Sequence, residues 1–123
     1  MTGVKELVAV ARAGIENLRP AEVLSEIQTG DVLLVDVREP DETSSGAIPE
    51  AMFAPRGVLE FWADPQSPDH QDEFAPERRV IVCSSSVLRS ALAGRTLQSL
   101  GYTDVAHLEG GVAAWTDAGF GLI

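Results

Sequence analysis

Residues 80–98 read VIVCSSSVLRSALAGRTLQ, and this stretch decides the fold. An apolar, β-branched run ends at Cys83, and a short polar loop follows it. Apolar residues then recur at helical spacing from about Arg89 to Leu100, which predicts a helix. If the loop backbone curls in front of that helix, its N–H groups and the helix dipole favour an anion there. Arg89 can lock the loop or bind the anion through its planar guanidinium.

The rest of the chain alternates strands with helices. DVLLVDV, whose apolar run is Val32–Val37, predicts a strand buried on both faces, and DVAHL predicts a third strand. Helices are predicted in VKELVAVARAGI, RPAEVLSEIQTG and GGVAAWTDAG. REPDETSSGAIPEA is predicted as loop, and GVLEFWADPQSPDHQDEFAPERR as a short helical piece followed by a long loop. The pattern predicts one α/β domain over residues 1–123, with a mainly parallel central sheet and helices on both faces. Residues 1–16 are predicted to form an N-terminal helical extension of this domain.

The charge and hydropathy of the chain argue against several classes of partner and of targeting segment. The formal net charge is −10, which disfavours nucleic acid and anionic membrane, although a local cradle can still bind a small anion. No apolar run approaches the roughly 18 residues of a membrane span. The N-terminal segment is interrupted by Lys5, Glu6 and Arg12, unlike a signal peptide. We therefore expect a cytoplasmic protein.

The chain has one cysteine, Cys83. An intramolecular disulfide and a cysteine-rich zinc site are therefore excluded. The two histidines, His70 and His107, lie far apart in the sequence, so no metal site is expected. No cofactor is expected either.

Several motifs together resemble a known family. They are LLVDVREPDE, GAIPEA, APRGVLEFWADPQSP, RRVIV and RSALAGRTLQSLGYTDVAHLEGGVAAW, and they span about Asn17 to Phe120. The chain is similar to the single-domain rhodaneses, which are sulfurtransferases. The resemblance implies a rhodanese-like α/β fold and a cysteine that takes the outer sulfur of a donor such as thiosulfate. That cysteine holds the sulfur as a persulfide and passes it to cyanide or another thiol, so a small anionic donor and a thiophilic acceptor are the implied partners.

The register of the resemblance assigns the nucleophile position to a serine. Rhodaneses carry the cysteine five residues before the loop arginine, and counting back from Arg89 gives Ser84. Val87 then stands where the family has glycine. A serine oxygen cannot form the S–S bond of sulfur transfer, so this register predicts a weak or inactive sulfurtransferase. Ser84 is either natural divergence or an engineered Cys→Ser change. The anion cradle of this loop would comprise Ser85, Ser86, Val87, Leu88 and Ser90.

A second register makes Cys83 the alternative nucleophile. Cys83, five intervening residues and Arg89 match the spacing of phosphatases and arsenate reductases of related fold. The usual flanking histidine is absent, since Val82 precedes the cysteine. Successive strand side chains alternate between faces, so if position 84 faces the cradle, Cys83 faces the packing layer as a small buried hydrophobe.

Three residues outside the loop are candidates for the pocket. Arg38 lies in the segment that resembles the family's sequence beside the active loop, where an ion pair would hold the cradle or line its mouth. Arg56 could attract an anionic donor, and Trp62 lies in the same segment; the alternatives are a surface arginine and a core tryptophan. Asp36 ends a buried strand and is interpreted as a structural hydrogen-bonding group.

These observations leave three hypotheses. The first is a rhodanese-type sulfurtransferase domain, impaired because Ser84 occupies the nucleophile position. The second is a catalytically inactive binding or regulatory module with a protein partner. The third is a phosphatase or arsenate-reductase-like enzyme that uses Cys83.

Overall fold

The fold is built on a parallel β-sheet. The computed structural model describes residues 3–85 and 87–123. The strands are β1 (Glu16–Leu18), β2 (Val32–Asp36), β3 (Met52–Phe53), β4 (Arg79–Cys83) and β5 (Val105–Leu108). They form a five-stranded sheet in the order β1-β5-β4-β2-β3, and every neighbouring pair is parallel. All the strands therefore end at the same edge of the sheet.

The helices connect these strands. They are α1 (Val4–Gly14), α2 (Pro20–Thr29), α3 (Pro40–Thr43), α4 (Leu59–Ala63), α5 (Val87–Ser99) and α6 (Gly111–Asp117), and a 3₁₀ turn covers Arg56–Val58. Pro20 occupies the first turn of α2, where its missing N–H costs nothing, and Gly30 caps the end. In the described chain, none of these helices combines the length and apolar character that a membrane span requires.

Two apolar layers cover the two faces of the sheet. Side chains alternate along each strand, so Val80 and Val82 face one layer and Ile81 and Cys83 face the other. The first layer packs the sheet against α4 and α5, and the second packs it against α2 and α6. Helix α1 lies outside α5, where Val8 and Ala11 contact Ala91. Each fully buried valine or leucine contributes roughly 2 kcal/mol relative to an exposed one.

The predicted fold class and the three predicted strands are confirmed. The structure adds β1 and β3, which have three and two residues and are too short for periodicity to reveal. A helical turn, α3, lies within the predicted loop; Pro40 begins it and the Glu42 carboxylate accepts the Glu39 N–H at 3.0 Å. Helix α5 begins at Val87, two residues earlier than predicted.

The turn between β5 and α6 requires two glycines. Gly110 and Gly111 have φ values of +79° and +67°, in the left-handed region that disfavours side chains. A Cβ at position 111 would lie 2.3 Å from the backbone oxygen of Ser84. The next residue, Val112, donates its N–H to that same oxygen at 2.8 Å. This close approach seats the start of α6 against the loop that follows β4.

Gly111→Ala should therefore destabilise the domain by about 3 kcal/mol, because it combines a left-handed backbone with a clash against Ser84. Gly119→Ala is the matched control, since Gly119 has φ +90° and an open surround. It should cost only about 1 kcal/mol. Urea unfolding of both variants measures the difference, and equal losses would contradict a special role for the 111–84 contact.

Candidate active site

The candidate site lies at the edge of the sheet where the strands end. Asp36 of β2 and Cys83 of β4 are Cα partners at the last rung of their ladder. The ladder continues for one more bond, in which Val37 donates its N–H to the Cys83 oxygen at 3.0 Å. The loop from Ser84 therefore leaves the sheet from a rigid base, between β2 and the start of α6.

Ser84 is the first residue of the loop, and its side chain faces α5. The residue is fully buried. Its Oγ accepts the backbone N–H of Ser90 at 3.2 Å. The side chain at position 84 thus lies where N–H groups of the loop and helix can converge on it. A group with negative charge at this position would be stabilised by the same donor.

Cys83 faces the opposite way. Its side chain is 0% exposed and belongs to the apolar layer beneath α2 and α6, beside Ile81, Ala106 and Trp115. Burial raises the pKa of the Cys83 thiol well above its usual value, and the negative charge of Asp36 adds to the rise while Arg38 opposes it. The protonated thiol is a poor nucleophile, because thiolate is the reactive form.

Arg89 is held by an acidic residue of α3. Its two terminal nitrogens lie 2.6 and 2.7 Å from the two carboxylate oxygens of Glu42, and one of them also lies 2.5 Å from Ser85 Oγ. The hydrogen bonds from Arg89, followed by the Glu39 N–H, lower the pKa of Glu42 to about 2. Arg89 therefore locks the loop to α3 through a bidentate ion pair.

Arg38 forms a second, deeper ion pair. Its guanidinium donates to both carboxylate oxygens of Asp36 at 2.9–3.1 Å, and the two side chains are 5% and 0% exposed. A further N–H of Arg38 donates to the Gly46 oxygen at 2.9 Å. Arg38 thus ties the end of β2 to the chain that follows α3, and its charge is compensated by Asp36.

The other predicted cradle residues differ in placement. Leu88 is exposed, Ser85 is half-buried and Ser90 is fully buried. Ser86 lies outside the described residues, and of Val87 only the backbone, at the first position of α5, is described. Leu88 also borders a groove of ≈ 360 Å³ between α1 and α5, whose other lining residues are Val4, Lys5, Val8, Ala9 and Arg12.

Arg56 and Trp62 have their contacts elsewhere. Arg56 pairs with Glu60 at 2.7 Å and donates to Thr96 Oγ1 at 3.0 Å. Thr96 lies about two turns along α5 from Arg89, roughly 10 Å away. Trp62 packs, half-buried, against the apolar layer of α4 and α5. The described contacts do not bring these two side chains to the loop.

Glu42 is the site residue that the sequence did not single out. The acidic residues of DVREPDE pointed to an ion pair beside the loop, but their order in the sequence does not select which one meets Arg89. The signal that could have found it is the capping pattern of α3, in which Glu42 lies three residues after the helix N-cap, Glu39. That pattern orients the Glu42 carboxylate toward the N-terminal turn.

The groups at the loop are of the kind that bind an anion. Within residues 3–85 and 87–123, no group of three histidine, cysteine or carboxylate side chains is arranged to hold a metal ion. The loop instead offers backbone N–H groups, a hydroxyl at position 84 and an arginine. These groups can bind and orient an anion, but none is a thiolate.

Comparison with known proteins identifies relatives across most of the chain. A family model described as "Rhodanese-like domain" matches residues 19–118. A sulfurtransferase of Allochromatium vinosum is 35% identical over 95 residues, which are 77% of this chain and 81% of that protein. The sequence therefore has relatives that transfer sulfur.

Solved structures share the fold. A rhodanese-like domain protein from Staphylococcus aureus has a TM-score of 0.71 and 27% identity, and the match covers 89% of this chain and 97% of that one. A protein of unknown function from Rhodopseudomonas palustris, described as a possible tyrosine phosphatase, has a TM-score of 0.94 and 39% identity. That match covers 100% of this chain and 96% of the other, so it includes α1.

The Glu42–Arg89 pair should show itself in the pH dependence of stability. The pKa of Glu42 is about 2 in the folded state, so its contribution is fully present above the unfolded-state pKa of about 4.3 and is lost as the pH falls toward 2. Glu42→Gln should lower the free energy of unfolding at pH 7 by about 1 kcal/mol. The gap between wild type and variant should close between about pH 4.3 and pH 2.

Urea unfolding at pH 7, 4.5 and 3 measures this gap. Asp41→Asn is the matched control, because it removes one charge from the same helical turn at an exposed position. A gap that stays constant on acidification, or that appears equally for Asp41→Asn, would contradict the assignment.

Proposed function

This chain belongs to the rhodanese-like domain family, and on that premise we propose that it is a sulfurtransferase-type domain whose sulfur-carrying position holds a hydroxyl. In this proposal the domain keeps the anion-binding loop of a sulfurtransferase but does not carry sulfane sulfur itself. It then acts as a binding or regulatory module that recognises a small sulfur anion or a protein partner.

The orientation of two neighbouring residues supports the proposal. The thiol of Cys83 is buried in the layer beneath α2 and α6, and the side chain that faces α5 from the loop is the hydroxyl of Ser84. Sulfur transfer needs a thiolate in the loop, which attacks the outer sulfur of the donor, forms an S–S bond and releases sulfite when the donor is thiosulfate. A buried, protonated thiol facing the core cannot make that attack.

Ser84 does not replace the thiol. A serine hydroxyl is a weak nucleophile at its ordinary pKa and needs an adjacent general base. Its oxygen also cannot form the S–S bond of sulfur transfer. The backbone N–H of Ser90 donates to Ser84 Oγ, and such a donor favours negative charge on the side chain at this position.

The rest of the loop supports retained anion binding. The loop still begins at the end of β4, and Arg89 still locks it to α3 through Glu42. Arg38 keeps its compensated position behind the loop. On this proposal, replacing the Ser84 oxygen by sulfur supplies the group that sulfur transfer lacks.

A phosphatase that uses Cys83 is the alternative. The spacing of Cys83 and Arg89 fits it, and a relative with 39% identity is described as a possible tyrosine phosphatase. The orientation of Cys83 weighs against it, since the thiol faces the apolar layer beneath α2 and α6 and its pKa is raised, whereas a phosphatase nucleophile is a low-pKa thiolate. Hydrolysis of an aryl phosphate that is lost in Cys83→Ser would support this alternative over our proposal.

The test is intact-protein mass after incubation with thiosulfate and desalting, read before and after a reductant. We expect no gain of mass for the wild-type chain. Ser84→Cys should gain one sulfur atom that the reductant removes, because the new thiol lies in the loop beside the Ser90 N–H.

Cys83→Ala combined with Ser84→Cys is the matched control, since it leaves a single thiol and should still gain sulfur. A reducible gain on the wild-type chain would overturn the proposal and make Cys83 a sulfur carrier. A folded Ser84→Cys variant that gains nothing would contradict the proposal that the loop lacks only its thiol.

A further inference from the structure

A chain of hydrogen bonds leads from the loop, through the buried Ser90 and His107, to Asn17 on the edge strand β1. His107 of β5 is fully buried and lies beside Asn17 of β1, its Cα partner in the sheet. Its Nδ1 is 3.0 Å from Ser90 Oγ on α5, and its Nε2 is 2.5 Å from Asn17 Oδ1. The imidazole therefore joins three elements, one of which is the helix that follows the loop.

The orientation of Asn17 fixes the tautomer of His107. The Asn17 amide nitrogen donates to the carbonyl oxygens of Arg12 and Ile15 at 3.0 and 3.1 Å, so the amide oxygen faces the imidazole. An oxygen acceptor at 2.5 Å requires the proton of the neutral ring to lie on Nε2. Nδ1 then carries the lone pair and accepts the hydroxyl proton of Ser90.

Burial keeps the His107 ring neutral despite the charged groups near it. Glu109 Oε2 lies 3.2 Å from Nε2, and the other Glu109 oxygen pairs with Arg12 of α1. Burial is the largest influence and lowers the pKa of His107, Glu109 opposes this and Arg12 reinforces it. The faces toward α5 and β1 present Ser90 and Asn17, which are uncharged.

Ser90 connects this array to position 84. Its hydroxyl donates to His107, and its backbone N–H donates to Ser84 Oγ at 3.2 Å. Anchoring the Ser90 side chain fixes where this residue sits on α5, and so fixes the direction of its N–H. The array has the connectivity of a serine–histidine catalytic pair, but both residues are fully buried and closed to a substrate.

We propose that His107 is a positioning residue for the loop: through Ser90 it holds the α5 N–H that stabilises negative charge on the side chain at position 84. The inference rests on the proposed function in taking position 84 as the position that would carry sulfur. It adds a buried group, remote from any bound anion, that sets how well the loop stabilises a thiolate.

The test uses the Cys83→Ala, Ser84→Cys variant, in which the introduced thiol is the only one. The pH profile of its alkylation by iodoacetamide gives the thiol pKa. Adding His107→Leu should raise that pKa and slow alkylation at pH 7 by about tenfold, because the Ser90 N–H is no longer held toward the thiolate and its charge-assisted hydrogen bond weakens. Adding Ser90→Ala should have a similar effect, and the two changes together should do no more than either alone.

His70→Gln is the matched histidine control, since His70 contacts the Phe74 oxygen in the loop after α4 and should leave the profile unchanged. An unchanged profile in folded His107→Leu overturns the inference. If His107→Leu does not fold, the near-isosteric Ser90→Ala decides, and an unchanged profile there overturns the inference equally.

Thiosulfate loading separates this inference from the proposed function. If the Cys83→Ala, Ser84→Cys variant takes up sulfur but its thiol pKa is the same with and without His107→Leu or Ser90→Ala, only the positioning role fails. If either substitution raises the thiol pKa but the variant takes up no sulfur, the positioning role stands and the proposed function fails.

Discussion

Successive side chains of a β-strand point to opposite faces of the sheet, and at the end of β4 this alternation separates two neighbouring residues of different chemistry. Ile81 and Cys83 share one face, so the thiol enters the apolar layer beneath α2 and α6. Ser84, one residue later, turns toward α5. A one-residue slip would reverse every side chain of β4 and exchange the faces of Cys83 and Ser84. The register of the sheet therefore determines that a hydroxyl, and not a thiol, faces α5 from the loop.

Two guanidinium groups around the loop are compensated by carboxylates of the same chain. Arg38 is paired with Asp36 in the interior, and Arg89 is paired with Glu42 nearer the surface. Removing one partner costs more stability in the inner pair than in the outer pair. In the inner pair it leaves an unpaired charge in the core, whereas the outer pair is partly solvated. The inner pair fixes the base of the loop, and the outer pair fixes its far end.

The strands that could be predicted are those with strong local signals. The runs at 32–36, 79–83 and 105–108 are apolar and β-branched, and the family resemblance assigned the loop between β4 and α5. β1 and β3 are set by pairing with their neighbours rather than by their own residues. In the site, the spacing to Arg89 fitted both Ser84 and Cys83, and it was the family resemblance that favoured Ser84. The partners Glu42 and Asn17 are distant in sequence from Arg89 and His107, and only the packed fold brings them together.

The family model matches residues 19–118, and this boundary falls directly after β1. A fragment cut to those limits would lose α1, the edge strand and Asn17. Its sheet would then end at β5, which would expose unpaired backbone groups to neighbouring molecules. His107 would lose the amide that sets its tautomer, in the middle of a retained strand. In the proposed positioning role of His107, the segment before the matched region supports the loop, and a fragment that preserves the loop has to include Asn17.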